Sequence, residues 1–103
     1  MFMSTTHEIE GHPIAETLGL CLGNTIRAKD VGRDIGASLK SIVGGELRSY
    51  TDLMTEARQE ALQRMIEHAA SMGANAVVGE SFTTATVMVG AAEILASGTA
   101  VRI

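Results

Sequence analysis

From residue 51 to residue 72, apolar side chains return every third or fourth position, at Leu53, Ala57, Ala61, Met65, Ala69 and Met72. Glu56, Gln59, Glu60, Gln63, Arg64 and Glu67 fill the opposite side. That spacing predicts an amphipathic helix over 51–72, with Ser49 and Asp52 at capping-box spacing marking its start and Tyr50 leading its apolar stripe. At about 1.5 Å per residue the helix would be ~33 Å long, as long as a small domain is wide, so one end is expected to reach a neighbouring subunit. Directly after Gly73, a C-terminal cap by position, comes the run Ala74-Asn75-Ala76-Val77-Val78-Gly79. It is apolar on both faces, which predicts an interior strand covered by helices. Thr83 to Val89 continues that strand or pairs with it, Gly90 breaks it, and Ile94 to Ile103 alternates as a last strand.

Upstream, residues 3–8 have the character of a short edge strand, ended by the turn-like Glu10-Gly11-His12-Pro13. From Ile14 to Leu22 the chain alternates, with Leu18, Leu20 and Leu22 on one face and Thr17, Gly19 and Cys21 on the other. Gly23-Asn24 reads as a turn, and Thr25 to Ala28 as a returning strand. Asp30 is a good N-cap for a first helix whose stripe is Val31, Ile35, Leu39, Ile42 and Val43, with Gly44-Gly45 as its stop. Gly79 and Gly98 each interrupt a strand, which predicts backbones passing too close for a side chain.

Composition narrows the picture. With 103 residues, 46% hydrophobic and 19% charged, the chain is one ordered domain over 1–103, and at 3% aromatic its core must be built from Ala, Val, Ile, Leu and Met. The net charge of −4, with eight scattered basic residues, argues against a nucleic-acid partner. A single cysteine, Cys21, makes no internal disulfide and fits a reducing cytoplasm. No stretch approaches the ~20 apolar residues of a membrane span, and residues 1–6 do not resemble a secretory leader. A soluble, cytoplasmic protein without a membrane partner is the expectation.

Several separated motifs then carry a resemblance: Ser41-Ile42-Val43-Gly44-Gly45-Glu46, Tyr50, Ala57-Arg58, Gly73-Ala74-Asn75-Ala76-Val77-Val78-Gly79 and Ala96-Ser97-Gly98-Thr99-Ala100-Val101, with Ile9-Glu10-Gly11 and Leu18-Gly19 near the start. In this order they cover essentially the whole chain, which resembles the YbjQ family, small bacterial and archaeal proteins labelled heavy-metal-binding. The resemblance implies an α+β subunit, a small mixed sheet with two helices around a dodecin-like βαβ-type core, joined as a homopentamer in a propeller-like ring. A short chain with few aromatics and an overlong helix has physical reason to complete its core between subunits, and rotational symmetry closes such a ring. The family's functional label is weaker than its fold, because fold does not determine function.

The chemistry legible in the residues is sparse. A structural zinc site wants four Cys or His ligands in paired spacings, and this chain has Cys21, His7, His12 and His68, with no C-x-x-C and no H-E-x-x-H. A site for a divalent or soft metal ion would have to be assembled in space, from His7, His12 and Cys21 or from symmetry copies. Taken singly, Cys21 reads as a small buried side chain, His12 as a turn residue and His68 as a solvated helix position. Cys21 has no identifiable base beside it, so no catalytic residue and no reaction is assigned. Glu46, Arg48, Tyr50 and Arg58 form the best polar set, read as a subunit contact ahead of a ligand site. An oligomeric binding or scaffold module leads, metal binding between subunits is the alternative, and an enzyme comes last; no cofactor is assigned.

Overall fold

The computed structural model describes residues 1–28, 45–88 and 91–103. In chain order these form β1 (Phe2–Met3), β2 (Glu16–Ala28), helix α1 (Gly45–Ser71), β3 (Ala76–Met88) and β4 (Ala91–Arg102). The four strands make one mixed sheet in the order β1-β3-β4-β2, with β1 parallel to β3 and the other pairs antiparallel. Helix α1 lies across one face. The first helix expected over 31–43 and Gly44 of its expected Gly44-Gly45 stop lie outside the described residues, whereas Gly45 is the first residue of α1.

Helix α1 starts six residues earlier than its capping pattern suggested, so Ser49 and Asp52 sit inside the helix instead of at its N-terminus. Its predicted stripe is its buried stripe: Ala57, Ala61, Met65 and Ala69 are fully covered and pack with Cys21, Val77, Ile94, Ala96 and Ala100 of the sheet. Alanine at three of these four helix positions lets the helix axis come close to the strands, and Met65 fills the one larger gap. A second cluster, Ala76, Val78 and Val101 with Ile9 and Ile103 against it, lies apart from the first; Val78 and Val101 are on strand positions next to the helix-facing Val77 and Ala100, so they face the other side of the sheet.

Two readings of the N-terminal half are corrected. Gly23-Asn24 is no turn: β2 runs straight through it, with Gly23 opposite Ala96 and Asn24 opposite Leu95. Gly23 is required for another reason, since a Cβ there would strike the carbonyl oxygen of Ala61 and the amide nitrogen of Met65 on the helix backbone. The strand expected over 3–8 shrinks to Phe2–Met3, because the hydroxyls that follow bond locally. Thr6 N–H donates to Ser4 Oγ at 3.0 Å and Thr6 Oγ1 donates to the Glu8 carbonyl at 2.7 Å, an alternative to ladder pairing.

The two strand glycines differ. At Gly98 a Cβ would lie 2.5 Å from Val77 Cγ1, so close approach holds there. At Gly79 the nearest atom would be His7 Nδ1 at 3.8 Å, ordinary contact; what requires glycine is its φ of 64°, set by a bulge that shifts the β3–β4 register between Val78 and Ser81. The expected close approach at Gly79 is therefore wrong.

Candidate functional site

A bulge between Thr17 and Gly19 resets the alternation of β2. Beyond it Cys21, Gly23 and Thr25 face the helix and are buried, while Leu20, Leu22 and Ile26 point to the other face of the sheet. Those three are 62%, 41% and 59% exposed. The strand's largest apolar side chains are thus on its uncovered side. No helix of the described residues lies there.

Cys21, the first of the metal-ligand candidates, lies in the core. Its thiol donates to the Gly98 carbonyl at 3.5 Å, and burial pushes its pKa up, which disfavours the thiolate that binds metals. His7 and His12 lie in the segment between β1 and β2, where with Glu8 and Glu10 they line a shallow surface cleft. The ring of His12 stacks at a tilt on Phe2, centroids 4.9 Å apart. The structure therefore brings His7 and His12 to one cleft and leaves Cys21 under the helix. Among the described residues no three His, Cys, Asp or Glu side chains converge on one point.

Of the polar set, Glu46, Arg48 and Tyr50 fall in the first two turns of α1, where the backbone alone is described. Arg58 lies twelve residues beyond Glu46, about 18 Å along the helix axis. It is exposed and donates to Thr55 Oγ1 at 3.2 Å. The helix spreads these residues along its length.

Polar contacts that the sequence reading missed lie between α1 and β2. His68, read as a solvated position, accepts a hydrogen bond at Nδ1 from the Leu22 N–H at 3.0 Å, and Arg64 Nη1 donates to the Asn24 carbonyl at 2.6 Å. Glu60 is ion-paired with both Arg27 and Arg64. These side chains cover backbone groups on the outer edge of the sheet. A helix pattern marks His68 and Arg64 only as polar, since their partners are backbone atoms in a strand 46 and 40 residues earlier.

Glu80, on the β3 bulge, has one carboxylate oxygen buried without a partner, and burial raises its pKa. No helix of the described residues is long and apolar enough to cross a membrane.

Over residues 1–103 the chain matches the model of a family described as "Putative heavy-metal-binding". It is 56% identical over 103 residues to a UPF0145 protein of Vibrio campbellii, covering all of this chain and 99% of that one. It is 54% identical to a UPF0145 protein of Pseudothermotoga lettingae and 53% identical to one of Archaeoglobus fulgidus, covering all of this chain and 97% and 95% of theirs. Among solved structures it is similar to a protein of unknown function of the DUF74 family from Pediococcus pentosaceus, with a TM-score of 0.68 at 16% identity, covering 100% of this chain and 97% of that one. That likeness concerns the fold alone.

Proposed function

The chain belongs to the YbjQ family, and from that premise we propose that it works as a homo-oligomeric binding or scaffold module, a closed ring of five copies. The observation that carries this reading is the apolar row Leu20, Leu22 and Ile26, exposed on a sheet face that no helix of the described residues covers. Exposed rows of large apolar side chains mark association surfaces. A second copy seated there would supply the core that a chain with 3% aromatic residues cannot build alone. The unpaired, buried Cys21 fits work in a reducing cytoplasm. Light scattering at micromolar concentration should report five chains, or a whole multiple of five. A folded monomer would overturn the ring, and Leu20→Glu with Ile26→Glu should dissociate it.

The family description favours a second reading, a heavy metal held between subunits. Its best anchor in this chain is the cleft that His7 and His12 share, which leaves further ligands to come from a neighbouring copy. Metal content of protein purified without an affinity tag, followed by calorimetric titration with zinc and copper, tests it. Stoichiometric binding lost in His7→Ala and retained in Cys21→Ser would establish metal handling at that cleft. Substoichiometric binding unaffected by either change leaves the oligomeric module.

A further inference from the structure

The two edges of the sheet are treated differently. On the β2 side, the middle of the outer edge is occupied by side chains of the chain's own helix, with His68 taking the Leu22 N–H and Arg64 the Asn24 carbonyl. On the β3 side, β1 pairs only with Ala76 and Val77, and the segment after it reaches two residues further, Gly79 N–H donating to the Thr6 carbonyl at 2.7 Å and Glu80 N–H to the Ser4 carbonyl at 3.0 Å. From Ser81 to Thr86 the outer edge of β3 has no partner among the described residues, and all six side chains are exposed. A strand alternates its backbone groups between its two neighbours, so about half of these residues aim a free N–H and C=O outward.

We infer that this edge, Ser81-Phe82-Thr83-Thr84-Ala85-Thr86, pairs antiparallel with the same segment of a second copy about a two-fold axis perpendicular to the sheet. Charge selects this occupant. In such a pair the central residue faces its own mate and residues equally spaced on either side of it face each other, so a charge at the centre, or like charges at symmetric positions, would destabilise the pair, and an uncharged segment meets no such repulsion. The chain is 19% charged, yet no charged residue occurs from Ser81 to Ala92. β-Branched threonines and Phe82 are side chains that stabilise cross-strand pairs, and the segment has no proline, lysine or inward charge of the kind that blunts an exposed edge. Head-to-tail addition of β3 to a neighbour's β2 is opposed by His68 and Arg64, which already hold the acceptor and donor it would need. The pairing joins two four-stranded sheets into one of eight and uses a surface distinct from Leu20, Leu22 and Ile26, so it does not rest on the ring.

The test is the particle mass, read by native mass spectrometry at micromolar concentration. Thr83→Lys with Ala85→Lys, and separately Thr83→Glu with Ala85→Glu, place like charges across the two-fold and should halve the parent's mass twofold-symmetrically, from ten chains to five where the ring forms or from two to one where it does not. Mixing the lysine and glutamate variants in equal amounts should restore the parent mass. Variants with unchanged mass, or a mixture that stays halved, would overturn the pairing; Leu20→Glu with Ile26→Glu addresses the ring separately. Should either charged variant fail to fold, single cysteines placed at 82, 83, 84 and 85 on a Cys21→Ala background decide: under mild oxidation one of them should crosslink two chains, and the absence of any crosslink would sink the proposal.

Discussion

His68 on the last turn of helix α1 accepts the backbone N–H of Leu22, 46 residues earlier in the chain, at 3.0 Å. The bond ties helix to sheet and occupies an edge group of β2 that would otherwise be free. His68→Ala should cost about 0.5–1.5 kcal/mol, the net worth of one such bond. The more direct measurement is amide hydrogen exchange, which should accelerate at Leu22 and stay unchanged at Cys21, whose strand faces are held otherwise. An unchanged Leu22 rate would show that the bond contributes nothing.

Gly23 and Gly98 are both closed to a side chain, with different neighbours. At Gly23 the obstacle is helix backbone, the Ala61 carbonyl and the Met65 amide, which cannot move without shifting α1; at Gly98 it is a methyl of Val77. Gly23→Ala should therefore destabilise by about 3 kcal/mol, the upper end of overpacking costs, and Gly98→Ala by about 1 kcal/mol. Denaturant titration of the two variants checks the order. Equal losses would mean that the helix can slide away from β2.

Glu80 sets a pH dependence. Burial holds its folded pKa above the ordinary carboxylate range, so the ionised form is disfavoured in the folded chain. The contribution of this group to stability is fully present below the ordinary carboxylate pKa and is lost as pH rises through the raised folded value. Glu80→Gln should consequently melt at higher temperature than the parent near neutral pH, by an amount of order 1 kcal/mol for one sealed oxygen without a partner, and the advantage should vanish in acid. A variant less stable at neutral pH would mean that the carboxylate has a cationic partner in the assembled particle.

Cys21 should be chemically silent. It is fully buried, its thiol is engaged with the Gly98 carbonyl, and its pKa is raised. Alkylation by iodoacetamide should be slow in native protein, at least tenfold slower than after denaturation, because only the accessible thiolate reacts. Rapid native labelling would return Cys21 to the set of metal-ligand candidates.

The helix and its stripe were legible in the sequence because a 3.6-residue period is a local property, and Ala57, Ala61, Met65 and Ala69 are buried where that period puts them. The last two strands were legible for the same reason, and their motifs placed the chain in its family. The ends of elements were less so: Ser49 and Asp52 offered a capping pattern that the helix passes through, and Gly23-Asn24 offered a turn that β2 ignores. At Gly23-Asn24 the pairing with β4 and the helix packed on Gly23 outweighed a local turn preference of about 1 kcal/mol or less.

Which face of β2 is covered could be decided only in three dimensions. One bulged residue before Gly19 exchanges the two faces, turning Cys21 inward and Leu20 and Leu22 outward, and a period of two carries no mark of where a bulge falls. The roles of His68 and Arg64 were invisible for a related reason, since their partners are backbone atoms, and backbone atoms have no signature in sequence. Local periodicity determined the elements and their order; the helix backbone against Gly23, the Val77 side chain against Gly98, and the sheet edges left open or closed belonged to the tertiary structure alone.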